Sequence, residues 1–196
     1  MTHSRRSLAL AALALCAPLL ACAPSEPEAP ASTRVANESL RLAVNSLPEP
    51  FVVAENSGST LRFGTTHETG GTVEVTAGEP EYGLNLFAKA KDQGEVFRAL
   101  PGGEYFGSRE LGTPFGPAYY SRGAYDTDSG REEQLWIFAL HPSGDSSLLT
   151  LVYTYPPGEE QTRVPELLPL IGEIEAYEAE GVAVETPPAE QPATSE

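Results

Sequence analysis

The chain has 196 residues, 40% of them hydrophobic, and carries 12 Lys+Arg against 28 Asp+Glu for a formal net charge of −16. A surface this acidic repels phosphate backbones and anionic headgroups, so nucleic acid is excluded as an expected partner. Both cysteines, Cys16 and Cys22, fall near the N-terminus, which leaves the rest of the chain without a disulfide framework or a thiolate metal centre.

At the N-terminus, Arg5 and Arg6 precede an apolar run from Leu8 to Leu20. That run is shorter than the roughly 20 apolar residues needed to span a bilayer, and residues 1–21 read as a cleaved signal peptide. The stretch Leu19-Leu20-Ala21-Cys22 resembles the bacterial lipobox. The resemblance implies that Cys22 takes a diacylglyceryl group and becomes the first residue, while Cys16 leaves with the leader. "SRRSLAL" from Ser4 fits the general secretory route and also resembles a twin-arginine signal. Multiple acyl chains anchor stably, so the expected location is the cell envelope, with the membrane reached through lipid on Cys22. Ala23 lacks the aspartate that resembles an inner-membrane retention signal, which points to the outer membrane in a two-membrane bacterium. Loss of Arg5 and Arg6 takes the charge to −18.

Residues 22–33 contain "APSEPEAPAST" and read as a Pro/Glu-rich tether, and residues 182–196 have the composition of a disordered acidic tail. Between them, 34–181 is one domain's worth of chain. Its first clear elements are "PFVVA", "STLRFGTT" and "GTVEVTA", short β-branched runs separated by "ENSG" and "HETGG", which predict antiparallel strands. "YGLNLFAKAKDQGEVFRALPGG" then switches to helical spacing, with Leu86, Phe87, Ala90, Phe97 and Leu100 near one face and Gly94 as a weak point in the middle.

Four strand-like stretches follow: "EYFGSREL", "AYYSRGAYD", "EEQLWIFALHP" and "SLLTLVYTYP". The turns "DTDSGR" and "PSGD" make the last three consecutive hairpins. "LWIFAL" is apolar throughout, which predicts a central strand covered on both faces, whereas Leu149, Leu151, Tyr153 and Tyr155 alternate with threonines in a less fully covered strand. Val164, Leu167, Leu168, Ile171 and Ile174 recur at helical spacing around Pro169, so a C-terminal helix either kinks there or begins there and runs to Gly181.

This order predicts an α+β fold in which an antiparallel sheet is sandwiched between helices. With "GGEYFGSRELGTPFGPAYYSRGAY", "LWIFALHPSGD" and "YTYPPGEE", the chain resembles the PsbP-like fold over roughly Leu47 to Glu178. That fold is shared by the extrinsic photosystem II protein, a Ran guanine-nucleotide-release factor and bacterial lipoproteins of unknown role. The resemblance implies a scaffold and brings no catalytic residues, because fold does not carry function.

Candidate chemistry is sparse. "GDSSL" at Gly144 reads as a turn and not as an esterase nucleophile block, since no histidine follows His141. "DTDSGREE" from Asp126 has Gly130 where a calcium loop needs its fifth-position ligand, so it too reads as a turn. His67 and His141 stand beside turn residues, have no second ligand at metal spacing, and are expected at the surface. No catalytic residue set, metal site or cofactor is expected.

One stretch stands out. Tyr105, Phe106, Phe115, Tyr119, Tyr120 and Tyr125 are interleaved with Arg109 and Arg122, residue types enriched where proteins or aromatic ligands dock. The candidate binding patch is Tyr105, Arg109, Phe115, Tyr119, Arg122 and Tyr125, with both arginines expected to be dispensable for stability. Core strands whose aromatics fill the interior would show the same pattern. The function that follows is a protein-interaction or assembly module of the envelope with a protein partner there. A small-ligand carrier is the alternative.

Overall fold

The computed structural model describes residues 34–177. The leader, Cys22, the tether up to residue 33 and the segment 178–196 lie outside the described residues. In chain order the elements are β1 (Val35–Asn37), β2 (Leu42–Val44), β3 (Phe51–Ser57), β4 (Thr60–Thr65), β5 (Thr72–Pro80), α1 (Leu86–Ala99), β6 (Glu104–Thr113), β7 (Gly116–Thr127), β8 (Gly130–Leu140), β9 (Ser147–Tyr155), α2 (Glu160–Gly172) and β10 (Ile174–Ala176).

Seven strands form one antiparallel sheet in the order β3-β4-β5-β9-β8-β7-β6. Short connections close each neighbouring pair except β5–β9, which joins the early three strands to the later four. Period-2 alternation then decides which side chains reach which face. Leu61, Phe63, Val73, Val75, Leu135, Ile137, Leu149 and Leu151 point to the main core, where Leu167, Leu170 and Ile171 of α2 cover them. A small sheet in the order β1-β2-β10 supplies Val35, Leu42, Val44 and Ile174 to the same core. Each such aliphatic side chain contributes roughly 1.5–3 kcal/mol on burial.

On the opposite face α1 lies across β6, β7 and β8, with Leu86 and Ala90 against Phe138. Asn85 caps it by accepting from the Ala88 N–H at 3.0 Å. Gly94 costs helix propensity but admits the Tyr105 ring, and Gly123 admits Phe97; a Cβ would lie 2.8 Å from the first ring and 2.3 Å from the second. Phe87 turns outward at 49% exposed, although its spacing puts it near the apolar face.

The sheet between helical layers is thus α+β as expected, with two differences in detail. The middle strand of the seven is β9, although "LWIFAL" in β8 has the more continuous apolar run. Helix α2 starts ahead of both prolines, runs through Pro165 and Pro169, and stops at Gly172, leaving Ile174 in a strand. Both prolines face solvent, so water can satisfy the carbonyls of Gln161 and Pro165 that they leave without an i+4 donor. Leu168 is exposed on the same side.

Candidate functional site

The hairpin β6–β7 carries the aromatic and arginine stretch, and the pleat divides the predicted patch between the two faces of the sheet. Tyr105, Tyr119 and Tyr125 lie on the α1 side. Tyr105 packs at Gly94 with the Arg98 guanidinium 4.5 Å above its ring and its hydroxyl 2.6 Å from Ser108 Oγ. Tyr119 meets Phe87 edge-on at 5.5 Å, and the Tyr125 hydroxyl accepts from Gln134 Nε2 at 2.8 Å. Burial, then the neighbouring Glu132, raises the Tyr125 phenol above its ordinary pKa. Phe115 sits in the hairpin turn, half-buried against the main core.

Arg109 and Arg122 lie on the other side, with Phe106 and Tyr120. A β-bulge between Tyr105 and Gly107 brings this about. It aims Phe106 onto the face of Arg122, as bulges re-aim side chains, and it uses Gly107 at φ +118°, which a side-chain-bearing residue rarely adopts. The Arg122 guanidinium stands 4.9 Å over the Phe106 ring and pairs with Glu160 at the start of α2, 3.3 Å away. Phe106 stays 42% exposed. Phe106, Gly107, Arg109, Tyr120 and Arg122 line a cleft of about 160 Å³. Sequence spacing marked the residues, but neither the bulge nor the long-range Glu160 pair has a local signal.

A second polar concentration lies under the first turns of α2. Arg163 is 2% exposed, donating from Nε to Glu159 at 2.7 Å and from Nη2 to Thr69 Oγ1 at 2.6 Å. Glu166 beside it meets His67 Nε2 at 3.0 Å. The Tyr153 and Tyr155 hydroxyls are buried here without a hydrogen-bond partner among the described residues, and burial pushes both phenols above the usual tyrosine range. A groove of about 310 Å³ opens next to them, lined in part by Thr69, Gly71, Arg131, Tyr155 and Pro156.

His141, expected at the surface, is instead buried at 1% exposed. Its Nε2–H donates to the Leu40 carbonyl at 2.9 Å, and Nδ1 accepts from the Ser143 hydroxyl at 2.8 Å and its N–H at 3.2 Å. The ring thereby ties the β8–β9 turn to the β1–β2 turn. Apolar neighbours of these turns were legible in the sequence; the long-range carbonyl acceptor was not. Asp145 in the same turn pairs with Arg41, and hydrogen bonds from Ser147 and then Arg41 hold its carboxyl below the ordinary range.

No protein-family model matches the chain, and no curated protein matches it in sequence. Solved structures do match in shape. LpqN, involved in cell envelope biogenesis of Mycobacterium tuberculosis, aligns at 12% identity over 79% of this chain and 88% of its own, with a TM-score of 0.52. A Bacteroides thetaiotaomicron protein aligns at 12% identity and TM-score 0.52 over 76% of this chain, which spans only 50% of that one. The cyanobacterial PsbP protein of Synechocystis aligns at 12% identity over 82% of this chain and 100% of its own, with a TM-score of 0.50. With its antiparallel sheet covered by α1 on one face and α2 on the other, the chain has the PsbP-like fold.

Proposed function

We propose that the protein is a lipid-anchored envelope module that binds a protein partner through the α2-side surface of β6 and β7, and that it is not an enzyme. The carrying observation is the exposed Phe106 stacked with Arg122 beside Arg109 and Tyr120, at the open end of a sheet face. Aromatic rings and arginines of this kind dominate binding energy at protein interfaces. The anchor rests on the lipobox resemblance at Cys22. An envelope setting is also consistent with what is said of LpqN.

Two experiments test the reading. Cys22→Ser is expected to abolish acylation and move the protein from the membrane to the soluble fraction; a variant that still sediments with membranes removes the anchor. In pull-downs from detergent-solubilised envelope, Phe106→Ser is expected to lose a stoichiometric partner that the wild type captures, while the protein stays folded with at most the small drop in melting temperature that loss of the Arg122 stacking brings. A capture insensitive to Phe106 removes this surface from consideration. The groove of about 310 Å³ beside Tyr155 favours a second reading, a carrier of a small ligand, since its size is at the lower end of small-molecule sites. Native mass spectrometry of the purified protein separates the two, because a carrier would retain a bound small molecule.

A further inference from the structure

We infer that the partner docks as an extended strand along the free edge of β6 and places a carboxylate against Arg109; this rests on the docking surface proposed above. Among the described residues, β6 is an outermost strand of the seven-stranded sheet, and its outward backbone groups have no neighbouring strand. Such an edge is a template for strand addition. The side chains then state which strand fits.

Arg109 is exposed and has no ion-pair, hydrogen-bond or ring partner among the described residues. Every other described arginine has a carboxylate: Arg34, Arg41, Arg62, Arg98, Arg122, Arg131 and Arg163. In so acidic a chain, one arginine left without an acid is the exception to be explained. Arg109 faces Tyr120 across the ladder on one side, and the Tyr120 hydroxyl has no partner among the described residues either. On its other side a strand added to β6 would bring the Cβ in register with Arg109 to within about 4.5–5.5 Å. A glutamate or aspartate at that position completes a charge-assisted pair at the mouth of the cleft. The same cleft already contains such a pair, since Arg122 donates to the Glu160 carboxylate.

Two other occupants fit less well. A second copy pairing antiparallel through β6 keeps the two faces in common, and on the face of Arg109 the strand carries Phe106, Leu111 and Thr113, while its one acid there, Glu104, is already paired with Arg131 at 3.1 Å. A phosphate dianion would feel the repulsion of the acidic surface twice over, with Glu110 next in sequence.

The test is an NMR titration of the isotope-labelled protein with end-capped nine-residue Thr/Val peptides that differ only in a central glutamate or glutamine. The glutamate peptide is expected to shift the β6 amides and the Arg109 Nε–H signal and to bind at least fivefold more tightly at low salt. The preference should shrink as salt rises. Arg109→Gln should erase the preference, and Arg109→Lys should restore it only in part, because an ammonium lacks the guanidinium fork. Equal affinity of the two peptides, or a preference that survives Arg109→Gln, overturns the inference. Equal binding at β6 that Phe106→Ser abolishes would leave the docking surface standing and remove only the carboxylate. Binding of phosphatidylglycerol vesicles through Arg109, with neither peptide bound, would overturn it in favour of an anionic headgroup.

Discussion

Arg109 and Arg122 differ in what they cost to remove, although the sequence treats them alike. Arg109 has no acid or ring partner among the described residues, so Arg109→Ala should leave the melting temperature within the scatter of a surface change, about 0.5 kcal/mol or less. Arg122 sits over Phe106 and pairs with Glu160, both ends only partly exposed, so Arg122→Ala should lower stability by up to about 1 kcal/mol plus the lost packing. Thermal unfolding of the two variants checks this. His141 gives a residue-scale dependence on pH. Burial lowers its pKa below the ordinary 6.5, and Arg41 opposes the charged form while Asp145 and the Leu40 carbonyl favour it. The unfolded chain therefore binds the proton first as pH falls. The stability contributed by neutral His141 is complete above about pH 6.5 and declines below it, by at most about 1.4 kcal/mol per pH unit for one proton. Urea unfolding from pH 8 to pH 5 should show this slope in the wild type, and a His141→Asn variant should be flatter over the same range.

At the scale of elements, α2 offers a sharp expectation because its two prolines lie on the solvent face. Pro169→Ala restores a donor to the helix without removing a core contact. The gain in helix propensity, up to about 3 kcal/mol, exceeds the roughly 0.4–1 kcal/mol lost by freeing the unfolded chain. A denaturant midpoint that rises is expected; one that falls would mean the proline ring is packed. The same helix shows where reading from sequence stops. Apolar spacing located Leu167 and Ile171, but the prolines suggested an end that the exposed face makes unnecessary. Strands β3 to β9 were legible, since turn residues and length agree with alternation in most of them and with a continuous apolar run in β8. The three-residue strands β1, β2 and β10 were not, because a period cannot be read from Leu42-Ala43-Val44 and their pairing is entirely long-range. The candidate surface was half legible: composition marked β6–β7, while the bulge at Gly107 that moves Phe106 to the arginine face depends on how β6 meets β7.

For the molecule as a whole, the two covering layers are offset: α1 lies over the β6–β8 side of one face, while α2 and the small sheet serve the opposite face. That offset leaves Phe106 and Arg109 open near one edge and Val52 and Val53 open at the other. Stability should follow the same geometry. Strand β9 is paired on both sides, by β5 and β8, and Leu149, Leu151 and Tyr153 are fully buried in it. Among the described residues, strands β3 and β6 are each paired on one side only. Local opening energies range from near zero at fraying edges to the global value, about 5–15 kcal/mol for a domain, at the most enclosed hydrogen bonds. Native-state hydrogen exchange should therefore find the β9 amides exchanging only through global unfolding, β8 and β5 close behind, and the outward amides of β3 and β6 exchanging fastest. The β5–β9 seam is the place where this ordering could fail, since it joins strands separated by the whole of α1, β6, β7 and β8. If β9 amides paired with β5 exchange as fast as those of β3 while those paired with β8 stay protected, the sheet opens along that seam and the early three strands form a separate unit. If both sets stay protected together, the seven strands unfold as one, and the open ends at β6 and β3 are surfaces on a rigid body.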